Sequence, residues 1–243
     1  MPAWCAPLTT WTPPALASNA RRYARTLWRV VEAQHTASTM RLVDSLAEQV
    51  LLEQLLEASK PPIPATTASL HYLLATPFRY RPAQGSRFRA PQQAGVWYGA
   101  EHLRTALAEK SYWRQRFLLD SPGTPELGPV PHTAFTAAMH SARALDLTRP
   151  PLVRDLKHWK DPDDYSATQH LAAQARAAEP PLQVIRYASV RDPRPGHCAV
   201  LFDPAVFKSP APLHQETWFL AATRQRVRCV RDVPGTEPAA FEF

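Results

Sequence analysis

GSRFRAPQQAGVWYGAEHLRTALAE, residues 85–109, is the stretch on which the fold reading turns, because its character changes twice within a short span. GSRFRAPQQAG (85–95) is a basic loop. GVWYGA (95–100) is bulky and apolar, which suits a short buried strand. It runs directly into a helix expected from Glu101 to about Leu118. On that helix Ala106, Trp113 and Phe117 fall on one apolar face at about 100° per residue, with Glu109 at its edge. A carboxylate there is partly desolvated and needs partners. It is either half of a structural salt bridge or a catalytic group at a cleft. Lys110, on the other side, has the reach to carry its charge to water. Tyr98 ends the strand, where its ring packs in the core or stacks on a flat ligand. Arg87 lies in the loop, near Arg79, Arg81 and Arg89. An arginine on a loop suits bidentate phosphate binding, and a solvated basic loop is the plainer alternative.

Working outward, residues 1–17 read as an irregular, proline-containing arm. Ser18 and Asn19 are N-cap types, so a helix is expected to begin there. A second helix is expected from about Thr39 to Ala58, with Val43, Leu46 and Val50 at helical spacing and SKPPIP (59–64) ending it. LHYLLATPFRY (70–80) has strand character. Downstream come a Pro/Gly loop (121–131), a mixed stretch to Pro151, and a helix opened by DPDDY (161–165) and running to about Ala178. Strands are expected over 182–190 and 197–202, with a hairpin over 217–231. Clustered strands, irregularly interrupting helices and the lack of a βαβ series make the class α+β.

Composition narrows the chemistry. The net charge is +7, which favours anionic partners: a nucleotide, a nucleic acid or an acidic protein. Prolines number 26 and glycines only 7, so connections are stiff and glycine-rich phosphate loops are few. There is no P-loop, GxGxxG, HExxH or GxSxG pattern. Cys5, Cys198 and Cys229 are too scattered for a disulfide framework or a zinc site, and the histidines make no metal-binding pair. No apolar run is long enough to span a membrane, and the first residues lack a secretory pattern, so a cytoplasmic protein is expected. Arg224, Arg226 and Arg228 alternate along an expected strand and would share one face. That stripe would suit phosphates of a nucleic acid, an acidic partner, or simple protection of a sheet edge.

The 85–109 stretch also resembles the centre of the RES domain: a glycine-preceded Arg–aromatic pair, a short loop, a strand ending in Tyr, then a helix ending in Ala-x-x-Glu. LWRVVEAQ (27–34) resembles the family's opening strand with its arginine, Arg29, so a strand rather than a helix is expected there. IRYASVRDPRPGHCAVLFDP (185–204) resembles the segment that carries the family's serine. The family's arginine, glutamate and serine fall by pattern on Arg87, Glu109 and Ser189, and the strand-end tyrosine on Tyr98. GSRF stands where Gly-Gly-Arg-Trp is commoner, and the loop is about one residue longer. Arg79, Arg81 and Arg89 therefore stay open as alternatives to Arg87.

The resemblance implies an ADP-ribosyltransferase-like fold: a split, curved β-sheet with surrounding helices. It implies a RES-like domain over 25–231 with a helical insertion at about 39–69, an N-terminal arm (1–24) and a C-terminal tail (232–243). It implies a toxin that cleaves the nicotinamide–ribose bond of NAD by hydrolysis or phosphorolysis, with NAD as substrate and no cofactor. Its partner would be a cognate Xre-type antitoxin, with nucleic acid met only through that antitoxin. Glu109 would stabilise the developing positive charge on the ribose, Arg87 would hold pyrophosphate or ribose, and Tyr98 would stack on nicotinamide. Ser189 would hydrogen-bond the ribose or Glu109. Transfer of ADP-ribose to a protein is the enzymatic alternative, and nucleic-acid binding without catalysis the alternative of another class.

Overall fold

The computed structural model of the chain describes residues 10–33, 42–233, 235 and 237–243. Its centre is an eight-stranded mixed sheet. Strand β1 (Arg21–Glu32) lies antiparallel to the longest strand, β3 (Leu127–Asp146), along its own whole length, from Arg21 opposite Ala144 to Glu32 opposite His132. The other edge of β3 serves two partners in turn. β6 (His214–Ala222) pairs with it as far as Thr136, and β4 (Val184–Ala188) joins in parallel from Ala144. The sheet divides between those points. β5 (His197–Leu201) follows β4, and β2 (Trp97–Ala100) follows β5. β2 meets β1 at a single register pair, Trp28 with Ala100, so the sheet curls back on itself and all but closes. β7 (Val227–Arg231) and β8 (Ala239–Phe241) extend the β6 branch.

β3 was unreadable as a strand because alanines and Pro129 and Pro131 depress its intrinsic preference. Pairing on both edges overrides that, with Ala134, Phe135, Ala137 and Met139 buried, and a register shift between Leu127 and Val130 takes up Pro129.

The expected helix near Ser18 is displaced. A one-turn helix, α1 (Pro13–Ala17), ends there, and β1 follows. The arm expected over 1–24 therefore contains the start of β1, and its Trp11 and Leu16 are in the core. The tail expected over 232–243 supplies β8, with Phe241 buried. Burial of large apolar side chains in each segment anchors what composition alone presents as peripheral.

The helix expected from Thr39 is α2 (Leu46–Ala58). Ser45 caps it by accepting the Glu48 amide, while the Glu48 carboxylate accepts the Asp44 amide. Thr39 lies outside the described residues. Leu46, Val50, Leu51 and Leu55 are all exposed.

Residues 70–80 are not a strand. They form α3 (Tyr72–Arg79), capped by the His71 ring, which accepts the Leu73 amide. Leu73 and Leu74 are buried and Phe78 packs edge-on against Phe207, so the apolar spacing is three to four, not two. Gly95 donates its amide to the Tyr80 carbonyl, and a side chain at Gly95 would strike the Pro77 carbonyl. That close approach seats α3 against β2.

Helix α4 (Leu103–Leu119) follows β2 as expected. Its core-facing side is Ala106, Leu107, Ala108, Ser111 and Leu118, whereas Trp113 and Phe117 are exposed. The face expected to be apolar is therefore buried only at Ala106 and open at Trp113 and Phe117. A short helix, α5 (Leu156–Trp159), and α6 (Ser166–Arg176) cover the β4 side. Among the described residues no helix is long and apolar enough to cross a membrane.

Candidate active site

Where β1 and β2 part beyond Trp28 and Ala100, the unpaired Tyr98 carbonyl accepts Nη1 of Arg29 at 2.7 Å. One guanidinium thus clasps the gap that the backbone ladder leaves open. Burial pushes the Arg29 pKa down to about 10, and its Nε is buried without a hydrogen-bond partner. The gap opens into a cleft of about 470 Å³, within the usual range for small-ligand sites. Ala106, Glu109, Lys110 and Trp113 of α4 form one wall, so the stripe read as a core face fronts this cleft. Arg87, Tyr165, Tyr187, Arg191 and Cys198 complete it.

Glu109 sits at the base. Its Oε1 accepts the Ser189 hydroxyl at 2.6 Å, and the Cys198 thiol lies 3.8 Å away. None of the ion pairs among the described residues includes Glu109, which sets aside the structural salt bridge. Desolvation raises the Glu109 pKa, and the Ser189 hydrogen bond and the Arg87 and Arg191 charges draw it only part of the way back. Ser189 ends the β4 segment, and its Oγ accepts amides from Arg191 at 3.2 Å and Asp192 at 3.1 Å. With its lone pairs so occupied, the hydroxyl proton is directed at Glu109. That geometry suits a hydroxyl that positions the carboxylate better than one that attacks a substrate. A Ser189→Ala variant should leave Glu109 titrating at higher pH than in wild type, because the ionised form loses a charge-assisted hydrogen bond. Carboxyl NMR titration of both proteins checks this; an unchanged midpoint would remove Ser189 from the role.

Arg87 is almost fully buried. Its Nη1 donates to the Trp159 carbonyl at 3.2 Å and the Asp161 carbonyl at 2.7 Å, and the guanidinium stacks on Tyr165 at 4.6 Å. Of the four arginines considered, only Arg87 lines this cleft. Arg79 pairs with Glu57, and Arg89 donates to the carbonyls of Pro82, Gln84 and Ala90, holding its own loop together.

Tyr98 lines the cleft, but its hydroxyl is also structural: it accepts the Phe88 amide at 3.0 Å and hydrogen-bonds Ser86 at 2.9 Å. That fixes the turn that presents Arg87.

The four sequence candidates converge, then, on one place: Arg87, Tyr98 and Glu109 line the cleft, and Ser189 sits directly behind Glu109. Sequence reasoning missed Arg191 and Tyr165 as cleft residues, named Arg29 only as a strand arginine, and treated Lys110 as a flanking charge. Arg191 follows Ser189 by two positions, the one signal that could have found it; it packs on Tyr112 at 3.5 Å and donates to the Pro162 carbonyl. Arg29, Arg87, Lys110 and Arg191 against Glu32 and Glu109 leave the cleft positive, suited to an anionic ligand.

The expected arginine stripe does not form. Arg224 and Arg226 lie in the turn between β6 and β7, where the Thr223 amide donates to the Arg226 carbonyl, and only Arg228 is in a strand.

A split, curled sheet gripping a positive cleft with one desolvated carboxylate defines an α+β domain of the ADP-ribosyltransferase-like kind. The RES domain description matches residues 63–222, well over half of the chain. The chain belongs to the RES-domain family. Its fold is similar to a crystal structure of the M. tuberculosis MbcT–MbcA toxin–antitoxin complex, with a TM-score of 0.50 and 13% identity over 93% of this chain and 94% of that one. No curated protein sequence matches it.

Proposed function

We propose that this protein is a RES-family toxin that degrades NAD in the cytoplasm and is restrained by a cognate antitoxin of the Xre type. The observation that carries the reading is the Glu109–Ser189 pair at the base of a cleft lined by four cationic side chains. NAD supplies the complementary parts: an anionic pyrophosphate and a cationic nicotinamide already primed to leave. The bond between the ribose anomeric carbon and the nicotinamide nitrogen breaks with its electron pair going to the ring, which becomes neutral. The positive charge that develops on the ribose meets the Glu109 carboxylate, held in place by Ser189. Water or phosphate then adds to the anomeric carbon, and water loses a proton in doing so. Arg87, anchored through Nη1, fixes the ribose–phosphate portion, and Tyr98 offers a ring to the nicotinamide. The antitoxin partner is carried over from the family and from the complex named in the similar structure.

Purified protein incubated with NAD alone should release nicotinamide over many turnovers, and expression without an antitoxin should arrest bacterial growth as cellular NAD falls. Nicotinamide release only when a protein acceptor is present, with label appearing on that acceptor, would establish ADP-ribose transfer instead. Growth arrest at unchanged NAD, with no nicotinamide released, would overturn the proposal.

A further inference from the structure

A strand position facing Glu109 is filled by a thiol. Cys198 lies on β5, with Ala100 of β2 and Tyr187 of β4 as its register partners. Side chains along β5 alternate between layers: Cys198 and Val200 join the core that includes Ala106, Leu107 and Ala108 of α4, and Ala199 and Leu201 join the other. That alternation turns Sγ toward α4, where it donates to Oε1 of Glu109 at 3.8 Å. Cys198 is buried and free of any disulfide. Burial, and then the negative charge of Glu109, push its pKa well up, so the thiol keeps its proton and stays a donor. The Ser189 hydroxyl reaches the same oxygen at 2.6 Å. Both donors converge on Oε1, and no hydrogen bond among the described residues engages Oε2.

Resting on the reading of the cleft as the place where NAD is cleaved, we propose that Cys198 is a second positioning residue for Glu109, holding Oε1 together with Ser189 so that Oε2 is the oxygen presented to the ribose. The last torsion of a glutamate is broad, so a single hydrogen bond leaves the carboxylate free to turn about the oxygen it holds. A second donor on the same oxygen, from a different element, narrows that rotation. Ser189 comes from the turn after β4 and Cys198 from β5, so the two approach from separate backbones. The titratable and charged groups around Glu109 are Arg87, Arg191, Tyr187 and Cys198, with Lys110 next to it on α4. The two arginines act on it by charge, without ion-pair contact, which leaves Ser189 and Cys198 as the groups that hydrogen-bond it. A thiol is a weak donor, so its hold is smaller than that of the hydroxyl.

The test separates a hydrogen bond from a filler of space. Cys198→Ala removes the donor, and Cys198→Ser keeps one at nearly the same size. By carboxyl NMR, Glu109 should titrate at higher pH in Cys198→Ala than in wild type, by less than in Ser189→Ala. Cys198→Ser should return the midpoint to the wild-type value or below it. With NAD, kcat/KM of Cys198→Ala should fall most on the acid side, and Cys198→Ser should recover that loss. The infrared S–H stretching band of Cys198, assigned by its disappearance in Cys198→Ser, should move to lower frequency as Glu109 ionises and stay still across pH in Glu109→Gln. Where Cys198→Ala unfolds early in a thermal melt, the infrared band of the unaltered protein decides by itself. Equal midpoints in wild type and Cys198→Ala, no recovery in Cys198→Ser, or an S–H band indifferent to Glu109 overturns the assignment and makes Cys198 a packing residue. A midpoint and a band that respond as expected, in a protein that releases no nicotinamide from NAD, would leave the pairing of Cys198 with Glu109 standing and overturn the reading of the cleft.

Discussion

Glu109→Gln is expected to lower NAD cleavage by about 10²–10³-fold while leaving the protein as stable as wild type or more so. Two features of the same carboxylate give the two halves of that result. Facing the cleft, it is the negative group available to a developing cation on the ribose. Held in a desolvated position without an ion-pair partner, it has a raised pKa, which means the folded state binds its proton more tightly than the unfolded state does. Its contribution to stability is therefore fully present below the unfolded pKa and is lost as pH rises through the folded pKa. At neutral pH the ionised group opposes folding, and glutamine, which keeps an oxygen for the Ser189 hydroxyl, removes that opposition. The same titration governs activity with the opposite sign. The ionised form is the competent one, so kcat/KM should fall on the acid side, with its midpoint above the usual carboxylate range. Nicotinamide release across pH, with thermal unfolding across the same pH values, measures both. A folded Glu109→Gln protein with wild-type turnover would remove Glu109 from the chemistry, and one that unfolds readily would make it a structural residue.

Arg87→Ala is expected to fail in two ways at once. Loss of a charge-assisted contact to the ligand costs about 1.5–3 kcal/mol, or roughly ten- to a hundredfold in NAD affinity. Loss of the guanidinium also strips the Trp159 and Asp161 carbonyls of their donor and the Tyr165 ring of its stacked partner. Each buried carbonyl left without a donor costs about 1–3 kcal/mol, so the unfolding midpoint should drop by several degrees. Arg226→Ala, in the exposed β6–β7 turn, should change neither quantity. NAD titration under conditions that block turnover, paired with thermal melts, separates the effects. Equal loss of affinity in both variants would mean that overall positive charge, not a built contact, draws the ligand.

The parts of the fold and site that could be read from sequence were those written locally. β2 and α4 are contiguous and obey clear patterns, so Tyr98 and Glu109 fell where expected. The hairpin of β6 and β7 was legible for the same reason. Tertiary context decided the remainder. β3 is a strand because partners lie along both its edges, which alanines and prolines do not announce. α3 reads as apolar and aromatic at any periodicity until His71 caps it and Gly95 admits it. The wheel of α4 placed Ala106, Trp113 and Glu109 together correctly but could not say that their side opened on a cleft. Ser189 was matched by pattern, whereas its hold on Glu109, 80 positions away, is a fact of three dimensions. Arg29 and Arg191 carry no local mark of a ligand site, because what distinguishes them is the gap between two strands and a turn beneath a carboxylate.

The near-closure of the sheet also sets a timetable. One wall of the cleft comes from Arg29 on β1, another from Tyr98 and Glu109, and the last from Tyr187 and Cys198 on strands that arrive much later in the chain. β2 cannot be held in place until β5 pairs with it, and β5 ends at Leu201. Until β5 is in place the cleft lacks one of its walls. The cleft is therefore absent from any fragment that stops short of β5.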